Sequence, residues 1–141
     1  MPGNDAVFID TSGWIALLNA DDVLHGQATQ VLERLAVSPR LLVTTDWVLA
    51  ETGNGLARLP ARGRLVLAVK RFVQSDHSEL VRISPEAFQR TLELYAQAAD
   101  KTWGLVDCAS FVVMRDAGIQ EALTVDRHFS QAGFRCLLEP P

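Results

Sequence analysis

Five short segments rich in β-branched and other apolar residues, at 6–9, 41–44, 80–83, 122–125 and 134–137, lie far apart along the 141-residue chain, and helical patterns fill the intervals. Antiparallel neighbours can be joined by a tight turn, whereas parallel neighbours need a crossover of about a dozen residues or more. Widely spaced strands that read as continuous apolar runs therefore predict a mainly parallel sheet covered on both faces, a three-layer α/β/α class. Strand order is not contained in this pattern. Between the strands, apolar positions at Leu24, Ala28, Val31, Leu32 and Leu35, and again at Phe88, Leu92, Tyr95 and Ala99, match a helix period. Ser84-Pro85-Glu86 reads as an N-cap, a first-turn proline and an early acid, and Gly118 falls where a C-terminal cap is expected.

With 48% apolar residues the chain has ample material for one core, so residues 1–141 are expected to form a single domain. Its apolar runs are far shorter than the roughly 20 residues that span a bilayer, and the N-terminus has no basic segment followed by an apolar one. A cytoplasmic protein without membrane contact is the expectation. Cys108 and Cys136 lie in apolar segments with no metal-type spacing, which favours buried free thiols. A formal net charge of −4 argues against gripping nucleic acid by overall charge. Arg58, Arg62, Arg64, Lys70 and Arg71 nevertheless place five of thirteen basic residues in fourteen positions that hold no acid. That run is either a solvated helix face or a local basic patch.

Three of the strands run directly into aspartate, giving Asp10, Asp46 and Asp126. In open parallel sheets the ligand crevice lies beyond the carboxyl ends of the strands, where acids distant in sequence converge. An N-cap is the alternative for each, and for Asp46 it is the favoured one because "DWVLAETGNGLAR" begins a helix there. Glu51 projects from near the first turn of that helix, within reach of the crevice that Asp10 would face, or else it is simply solvated. Asp107 sits in "WGLVDCASFVVM" among apolar and small neighbours, where an unpaired carboxylate is costly to bury. A first-turn or capping role would account for it, and so would a bound cation. Asp10, Glu51, Asp107 and Asp126 thus point to one cleft with no obvious Lys or Arg beside them. Such a cluster is relieved by a positive partner, and Mg2+ or Mn2+ suits oxygen ligands. Zinc is disfavoured, since His25, His77 and His128 show no paired ligand spacing and His128 reads equally well as a surface residue.

The segments "FIDTSGWIALLN", "TTDWVLAETGNGLAR", "LVDCASFVVMRDAGI" and "ALTVDRHFSQAGF", in this order and over nearly the whole chain, resemble the PIN-domain ribonucleases and, within them, the VapC-type toxins of toxin–antitoxin pairs. The resemblance implies a five-stranded parallel sheet flanked by helices, a metal-dependent RNA endonuclease site, homodimerisation and inhibition by a cognate antitoxin. Carried over residue by residue, it implies that Asp10, Asp107 and Asp126 hold Mg2+ (or Mn2+) and that Glu51 completes an acidic quartet. Ser12 matches a hydroxyl that supports the site, although it could equally cap the helix, and Asn54 matches a polar position one turn after the glutamate.

The expected activity is metal-assisted hydrolysis of RNA, with Arg58, Arg62 and Arg64 as candidate RNA contacts because the acids repel phosphate. Trp14, Trp47 and Trp103 are candidate base-stacking residues but are better placed in a core. Phosphoryl transfer through a phosphoaspartate at Asp10 is a rival reading, weakened because Ser12 stands where a second aspartate would be needed. The other rival is a non-catalytic PIN-like module that binds RNA or protein.

Overall fold

The computed structural model describes residues 5–141. Five strands, β1 (Val7–Ile9), β2 (Leu42–Thr45), β3 (Ser78–Val81), β4 (Glu121–Leu123) and β5 (Arg135–Cys136), form one sheet in the order β3-β2-β1-β4-β5. Every pairing is parallel, as the spacing of the strands requires. Among the described residues seven helices supply the crossovers: α1 (Thr11–Leu18), α2 (His25–Val37), α3 (Asp46–Leu56), α4 (Arg62–Gln74), α5 (Pro85–Gln97), α6 (Leu105–Ala117) and α7 (Arg127–Gln131). The expected α/β/α class and five-stranded parallel sheet are therefore present. β1 is the central strand, and Val7, Phe8 and Ile9 are all buried.

All strand ends but that of β1 at Ile9 move by one or two residues from their expected positions, and at two of them a local reason is visible. Beyond Val81 the chain leaves the ladder, and the Ile83 N–H donates to Asp46 Oδ1 at 3.0 Å instead of to a strand. Beyond Leu123 the Val125 N–H donates to Ser12 Oγ at 3.1 Å. Ser84 caps α5 through the Ala87 N–H, with Pro85 in the first turn, and Gly118 ends α6 at φ 69°, a left-handed conformation that favours glycine. At α3 the expectation is corrected. Thr45, not Asp46, is the N-cap, its hydroxyl accepting from the Val48 N–H, which leaves Asp46 to bind the start of the loop after β3.

The α5 pattern also resolves differently from its apolar stripe. Ala87 and Thr91 face the interior, while Phe88, Leu92 and Tyr95 are 42%, 38% and 50% exposed. Small residues on the buried side let α5 lie close on α6, and the large ones are left on the outer surface beside Trp47, which meets Phe88 edge-on. Trp14 is buried and donates to Thr44 Oγ1, whereas Trp47 and Trp103 are half-buried. Both cysteines are free, Cys108 buried and Cys136 only partly so. Among the described residues no helix is long and apolar enough to cross a membrane.

Candidate metal centre

β1 delivers Asp10 to the carboxyl edge of the sheet between β2 and β4, and the chain turns at once into α1. Asp10 occupies the N-cap position, yet its side chain makes no capping bond. It turns toward β4, where the Thr124 hydroxyl donates to Asp10 Oδ2 at 2.9 Å. Thr124 Oγ1 in turn lies 3.0 Å from Ser12 Oγ and accepts from the Asp126 N–H. Because the Thr124 proton goes to Asp10, Ser12 must supply the proton of the Ser12–Thr124 bond, and its own oxygen then accepts from the Val125 N–H. Ser12 therefore joins α1 to the loop after β4 and does not cap α1.

Gly13 makes this contact possible. A Cβ at that position would stand 2.2 Å from the Leu123 carbonyl oxygen, closer than atoms can pack, so only glycine lets the first turn of α1 lie on the end of β4.

α6 and α7 bring the next two acids. Asp107 is in the first turn of α6, where its Oδ2 accepts from the Gly104 N–H at 3.1 Å. Asp126 caps α7, with Oδ1 accepting from the His128 N–H at 2.9 Å. Both capping explanations were thus partly right, and neither uses the whole carboxylate. Between the two acids lies the His128 ring, with Nδ1 3.0 Å from Asp107 Oδ2 and 3.3 Å from Asp126 Oδ1. The alternative left open for His128 resolves toward the site, its side chain 19% exposed and its ring set between the two acids.

Glu51, exposed on α3, accepts a hydrogen bond from Thr11 Oγ1, the residue after Asp10. Asn54 lies further along α3 and is exposed. Arg58, Arg62 and Arg64 are exposed as well, and two of them are partly engaged: Arg62 donates to the Ala57 carbonyl and Arg64 to the Leu18 carbonyl at the end of α1.

Among the described residues, Asp107, Asp126 and His128 have ligand atoms all within 4.8 Å of one another. Asp10 and Glu51 lie outside that group: Thr124 links Asp10 to the Asp126 backbone, and Glu51 is bonded to Thr11, the residue beside Asp10. Four residues at the site escaped the sequence reading: His128, Thr124, Thr11 and Gly13. The signal for Thr124 was its place two residues before Asp126, which suits a local hydroxyl-to-backbone turn.

Burial dominates the electrostatics. Asp10 is 3% exposed, and desolvation, reinforced by the charges of Asp107 and Asp126, raises its pKa from 3.8 to about 7 despite the hydrogen bonds from the Thr11 backbone and Thr124. Desolvation also pushes the Asp107 carboxyl up, against the bonds from Gly104 and His128. Asp10 Oδ1 is buried without a hydrogen-bond partner. No Lys or Arg among the described residues forms an ion pair with Asp10, Asp107 or Asp126. An orphaned carboxylate oxygen beside two further acids and an imidazole fits a divalent cation, which would satisfy the oxygen and relieve the repulsion.

Comparison with known proteins agrees with this geometry. The family model described as "PIN domain" matches residues 7–135. The chain is 34% identical over 128 residues, covering 91% of this chain and 95% of the relative, to the 23S rRNA-specific endonuclease VapC20 of Mycobacterium tuberculosis. The crystal structure of that VapC20, described as a Sarcin-Ricin loop cleaving toxin, superposes with a TM-score of 0.77 over the same shares of the two chains. The fold is also that of DNA-bound VapBC from Salmonella typhimurium, with a TM-score of 0.66 at 18% identity over 96% of this chain and 97% of that one. The central parallel sheet with acids at its carboxyl edge and the match over residues 7–135 place this chain in the PIN-domain family.

Proposed function

We propose that this chain is a metal-dependent endoribonuclease, the toxin of a VapBC-type pair, acting in the cytoplasm as a single domain of residues 1–141. The observation that carries the reading is Asp10, a buried carboxylate with an unpartnered oxygen, set beside two further acids with no Lys or Arg ion-paired to them among the described residues. Asp10, Asp107 and Asp126 would hold Mg2+ or Mn2+, and Glu51 would complete the acidic set. When bound, such an ion activates water and neutralises charge that builds on the scissile phosphate.

The chain's own residues do the positioning. Thr124 and Ser12 fix the Asp10 carboxylate against β4. Thr11 holds Glu51, the exposed member of the set, beside the Asp10 end of β1. Arg58, Arg62 and Arg64 would bind the RNA backbone, since guanidinium has five N–H donors and the two engaged arginines each commit one to a backbone carbonyl. Asn54, one turn beyond Glu51 on α3, would act only through its neighbours.

The relative's action on 23S rRNA makes ribosomal RNA the first substrate to try. A cognate antitoxin as partner follows the VapBC complexes, and an acidic cleft accepts an Arg or Lys side chain. A homodimer is supported by the exposed stripe of Phe88, Leu92 and Tyr95 on α5.

Cleavage mapping on total RNA tests the activity, with wild type beside Asp10→Asn. Cleavage at discrete positions, abolished by EDTA, restored by Mn2+ or Mg2+ and missing in the variant, is expected. Equal cleavage by Asp10→Asn protein would overturn the proposal, and binding of RNA with no cleavage would favour the non-catalytic module.

A further inference from the structure

The acids of a PIN-type centre are oxygen donors, but here a nitrogen lies among them. His128 Nδ1 is 3.0 Å from Asp107 Oδ2 and 3.3 Å from Asp126 Oδ1. Donors bonded to one ion at about 2.1 Å stand roughly 3.0 Å apart in an octahedron and about 3.4 Å apart in a tetrahedron. The ring nitrogen thus stands at ligand spacing from each of the two oxygens, and the three atoms lie within 4.8 Å of one another.

The other side of the ring is tied down. His128 Nε2 lies 3.0 Å from Thr102 Oγ1, in the loop before α6. A metal-bound imidazole usually donates its second N–H to an oxygen, which fixes the ring and leaves the first nitrogen's lone pair for the ion. Thr102 can accept that proton. Independent support for an ion comes from Asp10, 3% exposed, whose Oδ1 has no partner and which feels the charges of both Asp107 and Asp126.

Resting on the reading of this cluster as a divalent-metal centre, we propose that His128 is a nitrogen ligand of the ion and Thr102 the residue that orients it. An imidazole in the set favours transition metals over Mg2+, and the preference rises from Mn2+ to Co2+. His128 would therefore decide which ion the protein selects, while the acids decide that it binds one.

The experiment uses the full chain, Mn2+, Co2+ and Mg2+ as probes, and no RNA. Pulsed electron paramagnetic resonance on the Mn2+-loaded wild type is expected to show nitrogen coupling whose frequencies change on 15N-histidine labelling. That measurement needs no variant. The coupling is expected to persist in His77→Gln and to vanish in His128→Gln. By calorimetry, His128→Gln should weaken Co2+ binding by about tenfold or more, with Mg2+ changed less than about threefold. Thr102→Val should keep the nitrogen coupling and weaken Co2+ by about tenfold. Mn2+ binding to wild type without nitrogen coupling, or coupling that survives His128→Gln, would overturn the role of His128 and leave the metal centre standing. Failure of all three ions to bind wild type would overturn both.

Discussion

Asp10→Asn should stabilise the metal-free protein at neutral pH while destroying its ability to gain stability from metal. The pKa of Asp10 rises from 3.8 to about 7 on folding, chiefly because burial disfavours the charged form. A carboxyl raised in this way leaves stability at its full value below the unfolded pKa, and that stability is lost as pH climbs through the folded one. The loss should therefore accumulate between about pH 4 and pH 7 and be complete above it. Each tenfold in protonation equilibrium is about 1.4 kcal/mol, so the interval sets a ceiling on the order of 4 kcal/mol. Relaxation and water entry reduce the working figure to about 2 kcal/mol.

The assay is urea unfolding in EDTA at pH 4.5 and pH 8, read as the difference between wild type and Asp10→Asn so that other titrations cancel. The asparagine carbonyl still accepts from Thr124, and its amide can donate toward the neighbouring acids, so the variant should keep its folded structure. Wild type should lose about 2 kcal/mol relative to the variant between the two pH values. At pH 8, Mn2+ at a hundred times its dissociation constant should return about 2.7 kcal/mol to wild type and far less to the variant. A difference constant within about 0.5 kcal/mol across the pH range, or wild type gaining on the variant as pH rises, would refute the reasoning.

Other perturbations read separate parts of the molecule. Gly13→Ala forces a Cβ against the Leu123 carbonyl and should cost about 3 kcal/mol in thermal or urea unfolding, with cleavage reduced further than stability explains because Ser12 and Asp10 move with the turn. Ser12→Ala leaves the Val125 N–H without its acceptor and should cost about 1–3 kcal/mol by denaturant unfolding. Neutralising Arg58, Arg62 and Arg64 together should flatten the dependence of log affinity for single-stranded RNA on log salt by about 2, measured by fluorescence anisotropy; an unchanged slope would leave those residues as solvated surface. Phe88→Glu should shift sedimentation from dimer to monomer while the circular dichroism spectrum is retained, since Phe88 is 42% exposed and contributes little to the core.

What could be read in the chain and what could not divides along a physical line. Strand spacing determines parallel pairing because crossovers have a minimum length, and three of the acids follow from strand ends or a first helical turn among apolar neighbours. Side-chain hydrogen bonds across the sheet edge have no such local signature. Thr124 serves Asp10, 114 positions away in sequence, and Ser12 reaches Val125, 113 away, through contacts that exist only once β1 and β4 are neighbours. Gly13 belongs with them, since its need for no side chain is created by a carbonyl of another strand.

His128 shows the limit most clearly. Ligand-type spacing read along one segment cannot reveal that Asp107 on α6 and His128 on α7, 21 positions apart, come together with Nδ1 3.0 Å from Asp107 Oδ2. The α5 stripe fails in the opposite direction: the period was right for a helix, but period alone does not say whether large or small residues face inward. In both cases a partner remote in sequence determined what the side chains do. Where apolar residues end up outside, as on α5, or a ring ends up among acids, as on α7, the departure from the local rule is where a task beyond folding is to be tested first.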